Sequence, residues 1–217
     1  MNNDYGRNVF INCPFDRKYS SLLRPILFTI IYLGFLPRIS LERFDSGEPR
    51  FNKICELIKQ SKYGIHDLSR IQARRKGEYF RLNMPFELGL DIGCRVFQRR
   101  KYSDKQCLIL EEKNYRYQAA ISDLSNSDIK SHKNNPMIAI RQIRNWFVEN
   151  GLEGSPSGTV IWYKFTDFMT DFHEKREAEG FEKDDIYKMP IPEYTHFIRT
   201  WIKLNPPQDR KNIQDQI

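Results

Sequence analysis

The chain alternates between two hydrophobic periods. Asn8 to Cys13 (NVFINC) is a short apolar run ended by Pro14, the pattern of a buried strand feeding a turn. From about residue 19 to 33 the apolar positions Leu22, Leu23, Ile26, Leu27, Ile30 and Ile31 follow helical spacing and stop at Gly34. Leu36 to Leu41 reads as a second strand and runs into a polar, turn-rich loop, ERFDSGEPR. A second helix is predicted over residues 51–62, with Ile54, Leu57 and Ile58 on one face. Tyr63 to Leu68 (YGIHDL) predicts a third strand ending in the carboxylate of Asp67. Met84, Leu88, Ile92 and Val96 then recur at helical spacing, with Pro85 suited to a first turn, and Gln106 to Leu110 (QCLIL) predicts a fourth strand. Strands alternating with helices imply a parallel sheet covered on both faces, which binds ligands outside the carboxyl ends of its strands.

The last third predicts helices: 136–149 with Ile138, Ile140, Ile143, Trp146 and Phe147, then 159–179, then 192–203. The linker GLEGSPSG, residues 151–158, is the best candidate for a boundary. Tyr163, Phe165, Phe168 and Phe172 follow helix spacing and read as core or interface positions. Between the fourth strand and these helices, residues 114–132 are dense in polar and aromatic groups without periodicity. That stretch either caps a pocket with Tyr115, Tyr117, Gln118, Asp123 and Asp128 or is an irregular connector. The expected organisation is an α/β domain over residues 1–133, a helical appendage over 134–204 and a loose polar tail over 205–217.

With 217 residues, 40% of them hydrophobic and 13% aromatic, the chain supports one packed domain with an appendage rather than two full domains. Its net charge of +7 fits phosphorylated ligands or nucleic acid, and basic side chains bunch in residues 70–81 and 95–105. No nucleic-acid recognition motif accompanies them, so nucleic acid ranks last among the partners. Cys13, Cys55, Cys94 and Cys107 form no metal-ligand or CxxC pattern and read as reduced, mostly buried thiols. Asp123, Asp128 and His132 lack compact ligand spacing, so no metal is assigned. The N-terminus has no apolar targeting segment, and the longest apolar run, Ile26 to Leu36, is too short to span a bilayer; a soluble cytoplasmic protein is expected.

The segment RLNMPFELGLDIGC sets one glutamate, Glu87, among apolar residues near the start of a helix. Such a carboxylate either complements the helix dipole from the solvent side or is paired, raised in pKa and used.

VFINCPFD, a helix ending LGF, DSGE before a second helix, QSKYGIHDLS and NMPFELGLDIG together resemble the nucleoside 2-deoxyribosyltransferases and the related TIR domains. The resemblance covers residues 8–110. It implies a flavodoxin-like or TIR-like parallel sheet and an N-glycosidic bond broken with Glu87 as the carboxylate that attacks or stabilises the sugar C1′. It places Phe15, Asp16 and Tyr19 against a base or nicotinamide, and Asp67 at a ligand-contacting strand end; Cys13 and Asn83 complete that candidate set. Asp45 either accepts a ribose hydroxyl or merely makes a turn, and Arg43 or Arg81 is placed to hold a phosphate. Asn83, Met84 and Pro85 stand where the transferases often have Gly-Thr, which leaves water or a second base open as acceptor. The implied ligand is NAD or a nucleotide as substrate, with no separate cofactor. The implied role is a bacterial defence or toxin effector, switched on by self-association or a partner. The competing class is a non-catalytic nucleotide-binding module that relays occupancy to a partner.

Overall fold

The computed structural model describes residues 4–71, 82–113, 121–124 and 127–207. Five strands, β1 (Asn8–Asn12), β2 (Leu36–Ile39), β3 (Tyr63–Asp67), β4 (Gln106–Glu111) and β5 (Ile129–Ser131), pair in the order β2-β1-β3-β4-β5. Every pairing is parallel, with Asn8 opposite Leu36, Val9 opposite Tyr63, Tyr63 opposite Gln106 and Ile109 opposite Ile129. This is an α/β sheet of flavodoxin-like order, and its direction of winding reverses between β1 and β3. The crevice at that switch point is where such sheets hold ligands.

Alternation along the strands sorts the helices. Val9, Ile11, Ile65, Leu108 and Leu110 share one core with α1 (Ser20–Tyr32) and α5 (Pro136–Glu149). On the other face Phe10 packs with Ile54, Leu57 and Ile58 of α2 (Arg50–Lys59), and Ile109 with Met84 and Leu88 of α3 (Asn83–Phe97). The α1 sequence is apolar all round because α1 is covered twice, by the sheet and by the later helices. It ends as the sequence predicts. Gly34 adopts φ +88° while the Phe35 amide reaches back to the Ile30 carbonyl at 3.0 Å.

The short α4 (Arg99–Tyr102) precedes β4, and α6 (Gly158–Ala178), α7 (Lys183–Lys188) and α8 (Ile191–Leu204) complete the chain. Phe165, Phe168, Phe172, Ile198 and Trp201 extend the α1 core without a break, while Tyr163 is exposed. The C-terminal helices therefore share one interior with the sheet. Among the described residues, no helix is long and apolar enough to cross a membrane.

Three elements escaped the hydrophobic pattern. β5 has only three residues, of which Ser131 alone is buried; α4 is a single turn; and α7 buries only Ile186. The predicted second strand is also too long. Ser40–Glu42 is a 3-10 turn, closed by the Arg38–Glu42 ion pair at 2.6 Å.

Gly64 is fixed by packing. A Cβ there would overlap Asp91 Oδ2 and fall 2.8 Å from His66 Nε2. Gly64→Ala is expected to destabilise the fold by about 1–3 kcal/mol through overpacking. Chemical denaturation measures it, and an unchanged midpoint would mean that Asp91 moves aside freely.

Candidate functional site

Two polar networks flank β1 and β3, one on each face of the sheet; the first runs from the amino end of β4 to the carboxyl end of β1, the second sits at the carboxyl end of β3. Both are almost wholly buried. On the α3 face, His66 of β3 and Asp91 of α3 are 0% exposed, and Lys105, just before β4, is 2% exposed. His66 Nε2 lies 3.0 Å from Asp91 Oδ2, and Lys105 Nζ lies 3.0 Å from Asp91 Oδ1. The ammonium also donates to the carbonyls of Ile58, at 2.8 Å, and Ser61. Two of its protons thus have carbonyl acceptors, and its charge faces Asp91 Oδ1 as an ion pair. Because a carboxylate only accepts, the Asp91 contact assigns the proton to His66 Nε2. His66 Nδ1 is then an acceptor, met at 3.1 Å by Asn12 Nδ2, which also donates to the Met84 carbonyl at 2.8 Å.

Burial alone would raise the Asp91 pKa, but His66 and Lys105 outweigh it and hold it below the ordinary value. Cys107 Sγ lies 3.4 Å from Asp91 Oδ2, and burial together with that negative charge pushes its thiol well up. His66, Asp91 and Cys107 offer three ligand atoms within 4.8 Å of one another. A cation among them would meet the Lys105 ammonium already on the same carboxylate, so the donor set fits an ion pair better than a metal.

Glu87 lies one turn before Asp91 on α3 and is 5% exposed. Burial raises its pKa above the ordinary glutamate value, and Arg50 pulls it back. Arg50 opens α2, is half exposed, and approaches Glu87 Oε1 at 3.4 Å. Glu87 is thus a buried carboxylate with one loose cationic partner. It sits beside the switch point because the Asn12 bond to Met84 ties the first turn of α3 to the end of β1.

On the α1 face, both oxygens of Asp67 are taken. Oδ2 accepts from Tyr19 Oη at 2.5 Å and faces His132 Nε2 at 3.1 Å, while Oδ1 accepts from the Ser69 amide at 2.8 Å and from the Ser69 hydroxyl. His132 Nδ1 accepts the Asn134 amide at 2.9 Å, which leaves the ring proton on Nε2, also 2.7 Å from Ser69 Oγ. A nitrogen that already carries a proton cannot take one from serine, so this Ser-His-Asp cluster is not arranged as a nucleophilic triad. Burial acts to raise the Asp67 pKa, and His132, Ser69 and Tyr19 together bring it below the ordinary value.

The remaining candidates scatter. Cys13 is core, whereas Cys55, Cys94 and Cys107, expected to be mostly buried, are partly exposed because they lie on or beside the outer helices α2 and α3. Phe15 stands 36% exposed. Asp16 accepts the Lys18 and Tyr19 amides in the turn before α1 and is gripped by Arg70 at 2.5 and 2.6 Å. Asp45 accepts the Gly47 amide at 2.8 Å in an exposed turn, and Arg43 is paired with Glu48 and Glu56. Asn83 opens α3 and is exposed, as is Asp123 in the turn Ser122–Leu124. Tyr117, Tyr115, Gln118 and Arg81 fall outside the described residues. The structure therefore gathers Glu87, Arg50, Asn12 and His66 around α3, and Tyr19, Asp67, Ser69 and His132 around α1. Asp91 had a visible signal, four residues after Glu87 on the same helix face. Lys105 had none, since a lysine before a strand normally reads as solvated.

No family model matches the chain, and no curated protein matches it.

Asp67 and Asp91 titrate lower folded than unfolded, so both stabilise the native state fully at neutral pH. That contribution is expected to fade as pH falls through the ordinary aspartate range and to vanish below the depressed folded values. Lys105→Met should cost about 3–5 kcal/mol by leaving Asp91 half paired, and should move the acid-unfolding midpoint to higher pH. Urea melts across a pH series read both effects.

Proposed function

We propose that the chain cleaves the N-glycosidic bond of NAD or of a nucleoside or nucleotide, with Glu87 as the catalytic carboxylate. One observation carries the reading: a carboxylate 5% exposed, raised in pKa by burial, beside the switch point of a parallel sheet. Cleavage at C1′ builds positive charge on the ribose ring, and an ionised Glu87 in a poorly solvated place stabilises that charge or captures C1′ covalently. Arg50 favours the ionised carboxylate and is exposed enough to turn to a phosphate. The exposed ring of Phe15 offers a surface to a base. Asp67, with both oxygens engaged, acts through Tyr19, a buried ring that it fixes just ahead of α1.

A defence or toxin effector is the setting this chemistry suits, since unregulated loss of NAD or nucleotides stops growth. Control by self-association or by a partner belongs to the same proposal.

Glu87→Gln should lower base release from NAD or from a nucleoside panel by about a thousandfold or more, followed by chromatography. Gln avoids the cost of ionising a buried acid whose folded pKa is raised, so the variant should melt no lower than wild type at neutral pH. Saturable nucleotide binding by both proteins without release would instead establish a binding module. The working form is the carboxylate, so the acid limb of the kcat/KM profile should lie above the ordinary glutamate value. Arg50→Ala removes a charge that lowers the Glu87 pKa and should move that limb to still higher pH. An unmoved limb would detach Glu87 from the titration.

A further inference from the structure

We infer that Asn12 reads the sugar of the ligand, its Oδ1 being an acceptor held for a ribose hydroxyl. The inference rests on the N-glycosidase reading of Glu87. Asn12 ends β1 and is 1% exposed. Its amide orientation is determined. Nδ2 faces two acceptors, the Met84 carbonyl at 2.8 Å and His66 Nδ1 at 3.1 Å, and a flipped amide would set oxygen against both. His66 cannot reverse its role, because Asp91 holds the ring proton on Nε2. The chain from Lys105 through Asp91 and His66 to Asn12 thus fixes which way the amide points.

Oδ1 is left buried and without a hydrogen-bond partner. An unsatisfied buried acceptor costs about 1–3 kcal/mol, and a chain that aligns three side chains to leave one acceptor empty has a donor to receive. The place of that acceptor names the donor. The Met84 partner is a backbone carbonyl three residues ahead of Glu87, so Asn12 meets α3 about 4.5 Å along its axis from Glu87, the reach of a furanose ring. With Glu87 against C1′, the donors within that reach are the ribose hydroxyls. The substrate class is therefore a riboside in preference to a deoxyriboside lacking the hydroxyl concerned.

The test measures binding to Glu87→Gln protein, which holds ligand without turnover. The probes are nicotinamide riboside and the four common ribonucleosides with their 2′-deoxy and 3′-deoxy counterparts, read by calorimetry. Loss of one of the two hydroxyls should weaken binding about 10–100-fold, because Oδ1 then stays unpaired. Adding Asn12→Leu should level riboside and deoxyriboside, a coupling that a purely structural Asn12 would not show. The ligand series on unaltered Asn12 stands alone should the double variant fail to fold. Equal binding of ribosides and deoxyribosides, or a preference that survives Asn12→Leu, overturns the inference. Base release by wild type without sugar discrimination would sink it and leave the Glu87 assignment standing, whereas neither binding nor release of any probe would remove both.

Discussion

The buried contact among Asp91, His66 and Lys105 is the constraint on which the candidate site depends. It joins α3, β3, the entry to β4 and, through the Ile58 and Ser61 carbonyls, the end of α2. A hydrophobic contact would let α3 slide or rotate on the sheet. A buried ion pair backed by a histidine hydrogen bond does not, and removing Asp91 or Lys105 strands a charge in the interior. Because Glu87 lies one turn from Asp91, the rigidity of the pair becomes the rigidity of the candidate catalytic group.

The two carboxylates at the strand ends meet opposite fates in nearly equal burial. Asp67 is 1% exposed and saturated by a tyrosine, a serine and a histidine, so its pKa falls. Glu87 is 5% exposed with one distant arginine, so its pKa rises. Hydrogen-bond supply separates an acid of lowered pKa from one of raised pKa here, more than depth does. It also explains why Ser69 and His132, for all their resemblance to a catalytic pair, serve as a clamp between β3 and the turn after β5.

Much of the fold was legible because burial is written in periodicity. The fully apolar α1, the single-sided α2 and the buried runs of β1, β3 and β4 all announced themselves, and their alternation dictates a parallel sheet. What hid was short or polar. β5 and α7 bury one residue apiece, too few to set a period. Glu87 was visible as a charge in apolar company. Its surroundings were not, since Lys105 and His132 come from distant segments, and a sequence does not reveal which polar groups the topology will bury together. Asp16 and Asp45 show the converse, as acidic residues in loops whose backbone amides already occupy them.

The tight fit of Gly64 against Asp91 has a consequence for recognising kin of this chain. A glutamate ahead of Leu-Gly is a three-residue pattern that many unrelated helices carry by chance. The steric and electrostatic lock beneath it involves Gly64, His66, Asp91 and Lys105, four positions that cannot drift independently. A distant relative that keeps the buried charge cluster must keep the glycine, while one that has replaced the aspartate is released from it. Joint retention of those four would therefore diagnose common descent more sharply than the glutamate itself, and their joint loss would mark the lineage in which α3 was re-anchored.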